Sequence, residues 1–185
     1  NRDEWTLFEV FLGDAAVTPL EHAVKDYLGP RVDEVLAVYA KNHRSIDRAW
    51  IDLIGDVSFR IPMIRLAEAQ SAHAPVWMYR FDFESTSFGG RLGAAHALEL
   101  MFVWNAIDLP VSKILLGEDR IEPARPLARA MHDAWAAFIR GEDPHASALP
   151  TWPRYERPAR ATMRLDLTSE VVLDPGGDAR AMWPE

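Results

Sequence analysis

A single histidine, His96, stands at the start of an apolar segment that ends at Trp104. The stretch before it, residues 76–83, alternates aromatic with other side chains, which is typical of a strand. A free imidazole has a pKa of about 6.5, so it can take a proton from a hydroxyl and return it near neutral pH. A carboxylate on the far nitrogen would hold the ring in the required tautomer. His96 is therefore a candidate general base.

Two segments carry a resemblance to a known family. Residues 93–104 read Gly-Ala-Ala-His-Ala-Leu-Glu-Leu-Met-Phe-Val-Trp. They resemble the catalytic-histidine motif of the type B carboxylesterases, the family of the cholinesterases and para-nitrobenzyl esterases, which reads Gly-Ala-x-His-x-x-Glu-Leu-x-Phe-Val-Phe with small variations. Residues 1–8 read Asn-Arg-Asp-Glu-Trp-Thr-Leu-Phe and resemble the family's Asn-x-Asp-Glu-Gly-x-x-Phe. The resemblance implies that His96 is the base and Glu4 the acid of a Ser-Glu-His triad.

Further segments extend the resemblance over nearly the whole chain, in the right order. Residues 56–62 are similar to the family's Asp-x-x-Phe-x-x-Pro helix, residues 76–81 to the strand before the histidine, and residues 152–155 to its late Trp-Pro-x-Tyr. One departure is Trp5, which stands where many members carry glycine. A tryptophan resists a positive φ, so the sequence leaves the backbone conformation beside Glu4 open.

The nucleophile is absent from these 185 residues. Triads on this fold occur in the order nucleophile, acid, base, with the serine on a Gly-x-Ser-x-Gly elbow, and no such motif occurs here. The stretch 85–90 lacks the glycine before its serine. We therefore expect the serine and the oxyanion-hole amides upstream of residue 1, in the other half of the same enzyme. The chain would then be the C-terminal part of an esterase.

Glu99 lies three residues after His96 and could form a metal pair with it at helical spacing. No further ligand cluster appears, so we expect no metal. The resemblance implies instead that Glu99 hydrogen-bonds near the histidine loop. Around His96, three apolar residues fit an acyl pocket and core packing equally well: Met101, Phe102 and Trp104. The remaining histidines have no motif and are interpreted as surface or packing residues: His22, His43, His73, His132 and His145.

Composition limits the function classes. A chain of 185 residues with 49% hydrophobic and 26% charged residues is sufficient for one globular domain with a sizeable core. Its net charge of −8 opposes nucleic acid and anionic membrane surfaces as partners, and no apolar run approaches the roughly 20 residues that span a bilayer. Because cysteine is absent, we exclude disulfides and thiolate sites and expect a cytoplasmic protein, with secretion left open.

Helical periodicity dominates the first part of the chain. A capping box at Thr18-Pro19-Leu20-Glu21 predicts the start of a helix, and Gly29-Pro30 predicts its end. Ser45 is the predicted cap of a later helix. Asp56 is the predicted cap of a fourth helix, which Pro62 kinks or limits. We thus predict a helical insertion over about residues 15–72.

The second part mixes strands and helices. We predict a strand over residues 76–83, a loop to residue 95, and a helix from Pro126 to a stop at Gly141. Two short strands should follow a loop, at 163–167 and 170–173. The predicted fold class is α/β: residues 1–185 form the C-terminal portion of one α/β-hydrolase domain, with an inserted helical layer (15–72), a strand and histidine region (76–110), and a C-terminal helix with short strands (123–174).

The resemblance implies an ester hydrolase with a small-molecule ester substrate and no cofactor. The alternative is a carboxylesterase-like binding or adhesion module that keeps the fold and has lost the serine. Retention of both Glu4 and His96 argues against it, because a binding module has no use for that pair.

Overall fold

The computed structural model describes residues 1–41 and 45–183, so the interpretation of His43 lies outside the described residues. Within these residues, a run of helices precedes the first strand, further helices separate it from two consecutive strands, and a short helix follows. The helices are α1 (Thr6–Leu12), α2 (Asp14–Leu28), α3 (Val32–Ala40), α4 (Ile46–Gly55), α5 (Ile61–Ser71), α6 (Glu99–Val103), α7 (Pro110–Leu116), α8 (Glu118–Ile139) and α9 (Gly177–Ala181). The strands are β1 (Met78–Phe81), β2 (Ala161–Leu165) and β3 (Glu170–Leu173).

The three strands form one sheet in the order β1-β2-β3. β1 and β2 are parallel, with Tyr79 opposite Met163, and β2 and β3 are antiparallel, with Met163 opposite Val171. The prediction for β3 is confirmed. β2 lies two residues earlier than predicted because Asp166 and Ser169 form a turn, in which the Ser169 hydroxyl donates to the Asp166 carbonyl (3.2 Å).

β1 is shorter than the predicted strand over residues 76–83. Its pairing with β2 covers only Met78–Phe81. Of the aromatic residues in the predicted strand, Phe81 and Phe83 are fully buried, whereas Trp77 and Tyr79 are partly exposed. The side chains of this strand therefore anchor one end of the sheet in the core.

The helical region begins earlier than predicted. α1 was not predicted, and α2 starts at Asp14 rather than after Thr18, so Pro19 lies inside the helix. A proline there removes one intrahelical hydrogen bond, and the helix continues past it. The predicted stop is confirmed, because α2 ends at Leu28 and Gly29 follows with a φ of 53°.

The prediction that Asp56 caps a separate fourth helix is wrong. Ser45 caps α4 as predicted, accepting a bond from the Arg48 nitrogen (3.3 Å). α4 then runs through a π-helical turn, Asp56–Arg60, directly into α5. The Asp56 carboxylate caps nothing, since it accepts bonds from the Tyr39 hydroxyl and the Arg60 guanidinium, both at 2.7 Å. Pro62 follows the π turn, as expected for a residue that distorts a helix.

The long helix α8 also begins before its predicted start at Pro126. It runs from Glu118 to Ile139 and contains both Pro123 and Pro126. Gly141, with a φ of 86°, lies just beyond its end, where the sequence predicted the stop.

Two hydrophobic clusters hold these elements together. The larger lies between the sheet and helices α6 and α8, and includes Phe81, Phe102 and Met131. The smaller lies within α2–α4 and includes Leu53 and, from beyond α9, Trp183. The result is an α/β architecture with a separate helical layer. In the part of the chain that the structure describes, no helix is long and apolar enough to cross a membrane.

Candidate active site

Glu4 and His96 meet although 92 positions separate them in the chain. Glu4 Oε2 lies 2.8 Å from His96 Nδ1. Because a carboxylate only accepts, Nδ1 carries the proton and donates it. Across residues 1–41 and 45–183, the other ring nitrogen, Nε2, has no hydrogen-bond partner. The Glu4 side chain is 16% exposed and that of His96 is 38% exposed, so the acid is enclosed while the imidazole reaches the surface.

Backbone pairing brings the acid segment to the histidine loop. The Arg2 nitrogen donates to the carbonyl of Phe81 (2.9 Å), the last residue of β1. Asp3 then forms a parallel bridge with Ala95. Trp5 has a φ of −87°, an ordinary value for any residue, so the tryptophan causes no strain beside Glu4. The acid segment thus lies alongside both β1 and the loop.

Two buried side chains tie the same segments together. The Asp3 carboxylate, through Oδ2, accepts a bond from the Ala94 nitrogen (2.8 Å). The Thr6 hydroxyl, itself fully buried, lies 2.5 Å from the Leu92 carbonyl. Gly93 lies between these two contacts with a φ of +58°, and a Cβ there would lie 2.4 Å from Asp3 Oδ2. Only glycine lets the loop approach Asp3 this closely.

Asp3 is a buried anion with two cationic partners. Arg2 Nη2 lies 3.0 Å from Oδ2, and Arg48 Nη2, from α4, lies 2.8 Å from Oδ1. Burial acts to raise the pKa of Asp3, but the Arg2 guanidinium, the Ala94 N–H and the Arg48 guanidinium together outweigh it and hold the pKa below its ordinary value. Asp3 is therefore charged at neutral pH.

The histidine loop has a buried backbone and an exposed ring. Ala94, Ala95 and Leu98 are essentially fully buried on both sides of His96. Ala97, directly after the histidine, has a φ of 65°, a conformation that costs an alanine free energy. This left-handed residue turns the chain into α6.

Aromatic rings flank the imidazole. The centroid of Phe8, on α1, lies 5.5 Å from that of His96, and the centroid of Phe59, from the π-helical turn, lies 4.9 Å away. Trp5 packs on Phe8 at 4.6 Å. These rings restrict the motion of the imidazole and reduce the access of water to the Glu4–His96 bond.

Glu99 is linked to the pair through Asn1 and does not contact His96 directly in the described structure. The Asn1 amide nitrogen donates both to Glu99 Oε2 and to the Ala95 carbonyl (2.6 Å). The backbone nitrogen of Asn1 lies 2.5 Å from Glu4 Oε1. Glu99 thus holds the residue that contacts both the acid and the loop.

The other residues singled out in the sequence lie elsewhere. Phe102 is fully buried, with its ring 4.9 Å from that of Phe81, which is the position of a core residue. Trp104 is 70% exposed. His22 and His73 are exposed, and the Nδ1 atoms of His132 and His145 each lie 2.9 Å from a backbone carbonyl. Among the described residues, no group of three His, Asp or Glu side chains could hold a metal ion.

Sequence reasoning missed several residues of this site, three of which lie in the motifs quoted above. Asp3 and Phe8 stood in the motif that identified Glu4, and Phe59 stood in the helix motif of residues 56–62. The signal was present in each case, but no local pattern states that Phe59 packs on His96.

The sequence of the chain matches a known protein family. Residues 17–180 match the sequence profile described as the carboxylesterase family. The chain belongs to the carboxylesterase family. It is 33% identical over 184 residues to a para-nitrobenzyl esterase of Bacillus subtilis strain 168, covering 97% of the chain and 36% of that protein. It is 27% identical over 180 residues to a phenmedipham hydrolase of Pseudarthrobacter oxydans, covering 94% of the chain and 36% of that protein.

Solved structures of carboxylesterases superpose on the chain. A Geobacillus stearothermophilus carboxylesterase gives a TM-score of 0.78 at 32% identity, covering 99% of this chain and 39% of that one. A structure titled PNB esterase gives 0.76 at 31% identity, covering 100% and 37%. These carboxylesterases have the α/β-hydrolase fold, so the predicted fold class is confirmed. The chain spans little more than a third of the length of each of these four relatives.

Proposed function

We propose that this chain supplies the acid and the base of a carboxylic ester hydrolase that works through a Ser-Glu-His triad. His96 is the general base, Glu4 orients it, and Glu99 holds the network around Asn1. The serine lies in a part of the enzyme outside these 185 residues, because no Gly-x-Ser-x-Gly elbow occurs here.

The observation that carries the proposal is the bond of 2.8 Å between Glu4 Oε2 and His96 Nδ1. With the proton held on Nδ1, Nε2 presents a lone pair that can accept a proton from a hydroxyl. The half-exposed ring offers that nitrogen to a group outside the described residues. This is the arrangement that general-base catalysis by an imidazole requires.

The chemistry then proceeds in two half-reactions. His96 Nε2 takes the serine proton while the serine oxygen bonds to the ester carbonyl carbon, and Glu4 stabilises the imidazolium that forms. His96 returns the proton to the leaving alcohol as the carbon–oxygen bond breaks, which leaves an acyl-enzyme. Water repeats the sequence and releases the carboxylic acid. Backbone amides outside this chain would stabilise the oxyanion. No step uses a cofactor.

The substrate pocket on this proposal lies between His96 and the remainder of the enzyme. Two cavities of the described residues, of about 760 and 240 Å³, have Asn1 in their lining, but His96 lines neither. A small-molecule ester is the proposed substrate, in keeping with the para-nitrobenzyl esterase and the carboxylesterases to which the chain is similar. A cytoplasmic location stays a prediction.

The domain division is also part of the proposal. We assign α2–α5 to a helical insertion (about residues 15–72) that covers the site, followed by the histidine region (76–110) and the C-terminal elements (123–174). Contacts from the helical layer support it, because Phe59 packs on His96 and Arg48 binds Asp3.

The test uses the complete enzyme and a short-chain p-nitrophenyl ester. His96→Ala removes the proton shuttle, so kcat should fall by about 10⁴-fold or more. Glu4→Gln keeps the size of the side chain but favours the wrong tautomer, so its loss should be large without exceeding that of His96→Ala. Since the two residues act as one unit, the double variant should be little worse than His96→Ala alone.

A matched control is His132→Ala, which removes an exposed histidine whose Nδ1 lies 2.9 Å from the Val103 carbonyl. It should leave kcat unchanged. Additive losses from Glu4 and His96, or a fully active His96→Ala enzyme, would refute the proposed roles.

Covalent labelling separates the esterase from the binding module. The complete enzyme should react with a fluorophosphonate at a serine outside this chain, and the chain alone should hydrolyse the ester no faster than free imidazole. A complete protein that neither labels nor turns over ester would favour a binding or adhesion role.

A further inference from the structure

Asp3 occupies an unusual position between the two residues of the proposed acid–base pair. It directly precedes Glu4, and its carboxylate accepts a bond of 2.8 Å from the nitrogen of Ala94, two residues before His96. Its own nitrogen donates to the Ala94 carbonyl (3.1 Å). Asp3 therefore joins the acid segment to the histidine loop through both its backbone and its side chain.

The helical layer provides a further partner for the Asp3 side chain. Arg48, on α4, binds Oδ1 at 2.8 Å, while Arg2 and the Ala94 nitrogen bind Oδ2. Asp3 is only 6% exposed. A carboxylate with this set of charge-assisted bonds has little freedom to move, because such bonds are shorter and stronger than neutral ones.

We propose that Asp3 is a positioning residue of the triad: its carboxylate, held by Arg48, sets the distance between Glu4 and His96. The inference rests on the proposed function and goes beyond it, because Asp3 touches neither the substrate nor the imidazole. Displacement of a catalytic group by about 1 Å can cost roughly 100-fold in rate. Loss of the Asp3 carboxylate should therefore lower kcat by more than its effect on the stability of the fold explains.

The first test is Asp3→Asn in the complete enzyme. Asparagine retains the shape and one oxygen acceptor but cannot hold Arg48 and the Ala94 nitrogen together. The two arginines keep other partners, Glu84 for Arg2 and Asp52 for Arg48 (3.5 Å), so the variant should fold. We expect kcat for a p-nitrophenyl ester to fall about 10- to 100-fold, with KM changed less than about twofold.

Asp82→Asn is the matched control. Asp82 is also buried, at 4% exposure, and pairs with Arg80 at 2.7 Å, but it does not contact the histidine loop in the described structure. It should lower the melting temperature about as much as Asp3→Asn does and leave kcat within about threefold. Equal kcat values for the two variants would show that Asp3 is merely structural.

Arg48 provides a second route that leaves the carboxylate in place. Its side chain is 30% exposed, so substitutions there are tolerated better than at Asp3. Arg48→Ala should lower kcat about 3- to 10-fold, and Arg48→Lys, which still donates to Oδ1, should restore it to within about twofold. An active Arg48→Ala enzyme would refute the role of the helical layer.

Histidine NMR separates this inference from the proposed function. In complete enzyme labelled with ¹⁵N-histidine and assigned with His96→Gln, the wild-type ring should be protonated on Nδ1 at neutral pH. Asp3→Asn should shift or broaden the His96 signals, and Asp82→Asn should not. If the wild-type enzyme hydrolyses no ester, the proposed function fails while these spectra still test Asp3. Unchanged His96 signals in Asp3→Asn would overturn the positioning role.

Discussion

Replacement of Gly93 by alanine tests the close approach that holds the site together. A Cβ at this position would lie 2.4 Å from Asp3 Oδ2 and 3.0 Å from Asp3 Cγ. Asp3 cannot retreat, because its nitrogen donates to Ala94 (3.1 Å) and its carbonyl accepts from the Thr6 hydroxyl (2.7 Å). The alanine therefore has to displace the carboxylate from the Ala94 nitrogen.

The magnitude follows from two contributions. A φ of +58° costs an alanine about 1 kcal/mol. Loss of the hydrogen bond between the Ala94 nitrogen and the buried carboxylate adds about 1.5–3 kcal/mol. We expect Gly93→Ala to destabilise the fold by about 2.5–4 kcal/mol and, by moving Glu4 away from His96, to lower kcat as well.

Gly89→Ala is the control because it isolates the backbone contribution. Gly89 has a φ of +67°, and apart from its chain neighbours no atom of residues 1–41 and 45–183 lies within 4 Å of its Cβ position. Urea unfolding of both variants should show a difference of at least about 1.5 kcal/mol in the free energy of unfolding. Equal losses would refute the displacement of Asp3 and leave only the φ penalty.

Three further predictions concern stability. The pKa of Asp3 is lowered in the folded state, so the charged carboxylate stabilises the fold above its ordinary pKa of 3.8, and this stabilisation is lost as the pH falls through the folded-state pKa. In urea unfolding, the difference in stability between wild type and Asp3→Asn should therefore narrow from about pH 6 to about pH 3. Ala97→Gly should stabilise the fold by up to about 1 kcal/mol in the same assay, because glycine accepts the φ of 65°. Tyr39→Phe should cost about 1–3 kcal/mol, because it leaves the Trp183 indole N–H (3.0 Å from Tyr39 Oη) unpaired.

These stability predictions have their own controls. A stability gap between wild type and Asp3→Asn that stays constant with pH would mean that the Asp3 carboxylate is not the stabilising form. Ala97→Gly should be compared with Ala136→Gly in the interior of α8, which should destabilise. Tyr27→Phe, at a tyrosine that is 64% exposed, should leave the free energy of unfolding almost unchanged, in contrast to Tyr39→Phe.

Local patterns predicted the elements whose stability is local. Ser45 caps α4, Gly29 ends α2, and β3 lies where its alternation indicated. Each depends on a few neighbouring residues, so sequence alone contains the required information. The prediction failed at Asp56, where a favourable cap residue is used instead by Tyr39 and Arg60.

In the candidate site, too, some features were predictable from local sequence and others depended on tertiary structure. The residue types around Glu4 and His96 were sufficient to predict an acid–base pair, because a sequence motif contains the side-chain types that the chemistry needs. The distance of 2.8 Å between them, the contact of Phe59 with the imidazole and the bond from Arg48 to Asp3 required the folded chain. Arg48 is 45 positions from Asp3, and only the packing of α4 against the acid segment brings its guanidinium to that carboxylate. Side chains so far apart in sequence leave no local periodicity, so tertiary structure alone decided how the pair is held.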